Sequence, residues 1–208
     1  MNPFALAGWA AVGAGVGAEV ATGARLLLRT GGLGGRETIA SAAVTAVLFA
    51  GLGWRFGWGI DLAAYSSFTA VAVALALIDF VEQRLPGVLT LAGIVMLGGT
   101  FTLEAVRTPG YNDLLRAAAA MVVLAAGYLV LALALGGLGS GDVKLAGLLG
   151  LALGWQSWSA VLAGTVLGWL LAGIARALLR ATGSVPRDAA MPLGPYLVLG
   201  ALLAILGD

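Results

Sequence analysis

Two aspartates stand apart in a chain that carries few acids. Asp79 closes a long apolar run and is followed by Arg84-Leu85-Pro86. Asp142 lies in Gly137-Leu-Gly-Ser-Gly-Asp-Val-Lys-Leu145, between runs of Leu, Ala, Val and Gly. An ionisable side chain at membrane depth is costly to place, and it marks a functional-site hypothesis by default. Like charges a few ångströms apart cannot both ionise cheaply, so two such carboxyls come to share a proton. One then works as general base on a water while the other, protonated, polarises a carbonyl. That is hydrolytic chemistry. The plain alternative makes each aspartate an unrelated helix-end residue at headgroup level, and spacing alone does not choose between the two.

Composition narrows the field from the other side. The chain has no His and no Cys, which excludes disulfides, thiol catalysis, Ser-His-Asp triads and the ordinary zinc ligands. No metal site and no cofactor are expected. A net charge of +1 leaves no nucleic-acid footprint. What remains for an enzyme is carboxylates, hydroxyls, one Lys and the arginines. Ser140 and Lys144 stand four apart and would share a helix face if the helix began early, as a Ser-Lys dyad requires. The glycines on both sides of Ser140 place it instead in a loop.

The elements that must position these residues are membrane helices. Of 208 residues, 61% are hydrophobic and 10% charged, where a soluble domain carries roughly a quarter charged. Apolar runs near 20 residues recur, as transmembrane helices require. They are continuous rather than alternating, which argues against a β-barrel. The 33 glycines suit helices packing closely in lipid, where small residues let backbones approach. The fold class is therefore an all-α polytopic bundle of about eight spans, with seven as the fallback.

The spans fall at about 4–21, 38–54, 62–80, 88–105 and 115–135, then two within 143–179 turning near Gly154-Trp-Gln-Ser-Trp158, and a last one at about 191–206. The first lacks the basic residues that precede a signal peptide's apolar region and reads as a retained helix. Asp142 to Gly154 alone is too short to cross, but residues 143–179 are together long enough for two tight spans, the first starting below the surface. The chain divides into an N-terminal two-helix segment, 1–60, with a basic loop, and a six-helix core, 61–208. Basic residues set the orientation. One side collects Arg25, Arg29, Arg36, Arg84, Lys144, Arg176, Arg180 and Arg187, the other only Arg55, Arg107 and Arg116. The richer side is cytoplasmic by the positive-inside tendency, and both termini then lie outside. Independently of orientation, two spans separate Asp79 from Asp142, so both sit at one membrane face. Glu19 and Glu104 fall close to span ends and read as interfacial, with Glu19 a minor candidate for lining a groove.

The motifs now carry a resemblance. Gly139-Ser-Gly-Asp142 is the G-x-G-D pattern of intramembrane aspartic proteases, and its extension to Val-Lys-Leu145 resembles the second catalytic motif of type IV prepilin peptidases. Ile78-Asp79 with Arg84-Leu-Pro86 resembles their first motif, and Met191-Pro-Leu-Gly-Pro-Tyr196 looks like the entry to their last helix. The resemblance runs from about Ser66 to the C-terminus. It implies that Asp79 and Asp142 are the catalytic pair, supported by Gly139, Gly141, Lys144, Arg84 and Pro86. Lys144 and Arg84 would act as electrostatic supports or as snorkelling interfacial cations, and the two glycines would give a substrate backbone access. The implied activity is removal of leaders from prepilins and pseudopilins at the cytoplasmic face of the inner membrane, with the bilayer and a pilin-like helix as partners. Larger family members carry a cysteine-rich zinc domain after the first span, associated with N-methylation. Here that position holds only the loop around Arg25 to Arg36, which implies a peptidase without methyltransferase, like the short forms that serve Flp or Tad pili. Gly87 stands where the family often has Asn or Asp. The rival function is a proton-coupled transporter using paired acids, which would need charges at the midplane of several helices. A purely structural assembly protein is a third reading, and it would tolerate loss of either aspartate.

Overall fold

The computed structural model describes residues 1–29, 33–108, 110–135, 138–183 and 191–207. They form eight helices: α1 (Pro3–Leu27), α2 (Gly35–Phe56), α3 (Ile60–Glu82), α4 (Gly87–Arg107), α5 (Tyr111–Leu135), α6 (Ser140–Gln156), α7 (Trp158–Ala181) and α8 (Gly194–Gly207). There is no strand among the described residues. The all-α polytopic bundle read from composition is the architecture observed. Six helices, α1 to α5 and α7, are long and apolar enough to cross a membrane. The other two have 17 and 14 residues. At 1.5 Å per residue they rise only about 25 and 21 Å, less than the hydrocarbon thickness of about 30 Å. Gly137, Arg187 and most of the loop expected before the last helix lie outside the described residues.

Local chemistry accounts for the helix ends. Asn2 caps α1, its Oδ1 accepting from the Ala5 N–H at 2.7 Å, with proline in the first turn. The turn expected near Gly154–Trp158 falls at Ser157, whose Oγ accepts from the Ala160 N–H at 3.0 Å to start α7. Gln83 closes α3 in the left-handed region, φ 51°, and Pro86 opens α4 from an extended conformation. At one point the expectation fails: Ser140 is not in a loop but is the first residue of α6. Gly139, extended at φ −80° and ψ 158°, is the N-cap. Glycine favours N-cap positions, so flanking glycines mark a helix start as readily as a loop.

The short helix α6 is the axis of the bundle. Every residue from Leu145 to Gly154 is buried, and α4, α5, α7 and α8 all pack against it. A helix apolar on all sides is buried on all sides. Glycine allows α5 to lie almost in backbone contact with it. A Cβ on Gly150 would stand 2.4 Å from the Ala120 carbonyl oxygen, and one on Gly154 would stand 2.5 Å from the Ala120 Cβ. Lipid tails give no hydrophobic drive between helices, so such close approach is how they hold together. At the far end of α6, Arg116 of α5 donates from Nε to the Gly154 carbonyl at 2.7 Å. From its terminal nitrogen it donates to the Trp155 and Gln156 carbonyls, satisfying acceptors that a helix C-terminus leaves open. The Tyr65 hydroxyl of α3 donates to the Ala152 carbonyl at 2.9 Å. Outside, large apolar side chains such as Val88, Leu133 and Leu162 are exposed, as positions facing lipid tails are.

Candidate active site

Asp79 sits in the last turn of α3 and is 5% exposed. Its Oδ2 accepts from the backbone N–H of Gly194, the first residue of α8, at 2.9 Å. The approach needs glycine, since a Cβ at 194 would lie 2.7 Å from that oxygen. Asp142 is the third residue of α6 and half-buried. Its Oδ2 accepts from the Gly139 N–H at 2.9 Å, while its own N–H donates to the Gly139 carbonyl at 3.0 Å. This is the reciprocal pattern in which an acid in the first turn reaches back to the N-cap. Each carboxylate is thus oriented through one oxygen by a backbone donor on the adjoining segment. Among the described residues no hydrogen bond is made to Oδ1 of either, and no cation forms an ion pair with them.

Both aspartates line one cavity of about 260 Å³, with Gln83, Arg84 and Leu85 on one side and Gly139, Ser140 and Gly141 on the other. The two spans between them, α4 and α5, are each long enough to cross, so the chain leaves and returns to one face. Contact between the α3–α4 connection and the start of α6 closes the arrangement. A Cβ on Gly141 would fall 2.9 Å from the Leu85 Cβ, so Gly141 lets the α3–α4 connection lie directly on the start of α6. Gly139 is under no such constraint: the nearest atom to a Cβ there, at 3.6 Å, is the Asp142 carboxylate oxygen.

The remaining predicted residues take other positions. Arg84 lines the cavity, but its guanidinium pairs with Glu82 and donates to the Leu27 carbonyl at the end of α1. Glu82 also accepts from the Arg29 N–H. Arg84 therefore fastens the α3–α4 connection to α1. Lys144 is exposed and lies outside the cavity lining, its Nζ 3.2 Å from where a Cβ on Gly87 would stand. Pro86 is the N-cap of α4. Ser140 Oγ and Lys144 Nζ share no hydrogen bond among the described residues. Glu19 is exposed on α1 and Glu104 half-buried on α4, and neither lines the cavity. Two contributors escaped the reading of the sequence: the Gly194 N–H and Leu85. Both lie inside noticed motifs, but a backbone donor and a packing contact leave no residue-type signal. Among the described residues there is no group of three or more His, Cys, Asp or Glu able to hold a metal.

Both carboxyls line a space large enough for several waters at about 30 Å³ each, an arrangement that acid–base hydrolysis can use. A sequence profile of the type IV leader peptidase family matches residues 66–179, more than half of the chain and including both aspartates. The chain belongs to the type IV leader peptidase family. Among its relatives is a prepilin leader peptidase/N-methyltransferase of Bacillus subtilis, 31% identical over 170 residues, 81% of this chain and 66% of that protein. Proteins of the same name resemble it in Pseudomonas putida, 30% identical over 78% of this chain and 56% of the relative, and in Aeromonas salmonicida, 38% identical over 73% and 51%. The chain thus spans between half and two thirds of the length of these curated relatives. No solved structure matches it.

Proposed function

We propose that this chain is a membrane-embedded aspartic endopeptidase, with Asp79 and Asp142 as its catalytic pair, that removes the N-terminal leader of type IV prepilin-like proteins. The observation that carries the reading is the shared cavity: two carboxylates from separate helices open into one space at one membrane face. In the reaction, one carboxylate takes a proton from a water as its oxygen bonds to the scissile carbonyl carbon. The other carboxyl gives its proton to the carbonyl oxygen. The gem-diol then breaks its C–N bond. The amine leaves with the proton held by the first carboxyl, and a gem-diol hydroxyl returns one to the second. Gly194 and Gly139 hold the two carboxylates in register throughout. A proton-relay transporter needs a succession of acids through the bilayer, whereas these two lie together at one end of α3 and α6.

The bias of basic residues supports a cytoplasmic site in the inner membrane, where a leader precedes a substrate's apolar helix. The α1–α2 loop has no cysteine, and the substrates are Flp- or Tad-like pilins whose new N-terminus this chain leaves unmethylated. The test is co-expression with a prepilin-like substrate, read by intact mass. Wild type removes the leader with no added methyl. Asp79→Asn and Asp142→Asn, both inserted normally, slow cleavage about a thousandfold, within the usual worth of acid–base catalysis. Cleavage persisting in either variant sinks the mechanism, and a methylated product sinks the assignment of peptidase alone.

A further inference from the structure

A second and larger cavity, of about 370 Å³, lies between α2, α3 and α8. Its lining is almost wholly apolar: α3 supplies the floor through Ala76 and Leu77, α2 and α8 the walls through Val44 and Leu199. It is open at the side, since Val44, Phe80 and Leu199 of its lining are 53%, 69% and 43% exposed. The α3 stripe that lines it, Val73 to Phe80, rises about 10 Å. That is close to two helical turns.

The trough and the aspartate cavity are lined by neighbouring residues of the chain. Phe80 follows Asp79 in the chain, and Pro195 follows Gly194, whose N–H holds the Asp79 carboxylate. Gln83, the C-cap of α3 three residues after Phe80, lines the aspartate cavity. An apolar bed therefore lies beside a more polar, acid-lined chamber. Small residues in the lining, Ala40 and Ser41 of α2 and Ala76 of α3, permit the close approach that helix packing in lipid requires.

We infer that this trough seats the apolar helix of the substrate, so that the residues just before that helix enter the chamber between Asp79 and Asp142. The inference rests on the peptidase reading above and adds where substrate binds. A helix lying along α3 between α2 and α8 would be held by its first two turns, which sets the distance from the start of the helix to the cut.

The chain has no cysteine, so single cysteines report without background. In isolated membranes, Asp142→Asn protein bearing Ala40→Cys or Leu199→Cys is oxidised with a prepilin-like substrate that carries one cysteine in the first two turns of its helix. Leu162→Cys on α7 and Val123→Cys on α5, both exposed, serve as controls. Enzyme–substrate disulfides at 40 and 199 but not at 123 or 162 are expected. Equal adducts at all four sites, adducts at the controls alone, no adduct, or enzyme–enzyme adducts at 40 and 199 each overturn the proposal. A second arm keeps the catalytic pair intact. Leu77→Trp fills the bed and lowers kcat/KM for the helix-bearing substrate about tenfold, while a quenched peptide spanning only the cleavage point is cut as by wild type. Equal loss on both substrates overturns the trough as well. Wild-type cleavage without trough adducts defeats this inference alone, whereas no cleavage by wild type defeats the peptidase reading with it.

Discussion

Gly194 and Gly139 each donate a backbone N–H to one of the two aspartates at 2.9 Å, yet only one of them has to be glycine. At 194 an added methyl would meet the Asp79 carboxylate at 2.7 Å, while at 139 its nearest neighbour stands at 3.6 Å in a backbone conformation open to any residue. Overpacking of this kind costs about 1–3 kcal/mol. Gly194→Ala is therefore expected to slow leader cleavage about tenfold or more, and Gly139→Ala to change it by less than about twofold. Gly141→Ala, pressed on the Leu85 Cβ at 2.9 Å, should behave like 194. Cleavage rates of the three variants, with insertion checked by membrane fractionation, decide the matter. A slow Gly139→Ala beside a normal Gly194→Ala would show that the carboxylates are positioned otherwise. Asp79 and Asp142 were legible in the sequence because an acid in an apolar run has few reasons to be there. The donors were not legible, because every residue except proline has the same N–H.

At the scale of elements, α6 is the part on which the site depends. It is shorter than a bilayer-spanning helix, carries Asp142 in its first turn, and is buried on every side from Leu145 to Gly154. Its position is set by the glycine face against α5 and by Arg116, which ties three carbonyls at its far end. Hydrogen bonds to a charged donor are worth about 1.5–3 kcal/mol. Arg116→Met should therefore lower the melting temperature in detergent by roughly 5 °C or more, with Arg116→Lys falling between, since an ammonium lacks the planar fork. An unchanged melting temperature in Arg116→Met would mean that α6 is held by packing alone. Arg116 reads in the sequence as one more basic residue of the outer side, and its partners, being main-chain oxygens at positions 154 to 156, could not be read there. The boundaries of α6 were partly legible: Ser157 ends it where Trp and Gln follow glycine, but its start at Ser140 was masked by glycines that signal a loop and a cap alike.

For the molecule as a whole, the sites at the ends of α3 and α6 share a face because α4 and α5 lie between them. With the basic side in the cytoplasm, a cysteine replacing Thr182, after α7, should resist a membrane-impermeant maleimide added to intact cells. One replacing Trp58, exposed between α2 and α3, should react. The reverse pattern would put the aspartates outside and end the case for a cytoplasmic leader peptidase. This prediction follows from the order of the spans and the sign of the loop charges.

Hydrophobic run length, the separation of two lone acids by two crossings and the sign of the loop charges are one-dimensional quantities, and they settled the membrane class, the helix order and the common face of Asp79 and Asp142. That those acids line one cavity was decided by contacts between residues far apart in the chain: Leu85 on Gly141, Gly194 on Asp79, and α5 against the glycines of α6. Close approach depends on what a neighbouring helix lacks as much as on what it carries. Such complementarity exists only once both surfaces are folded.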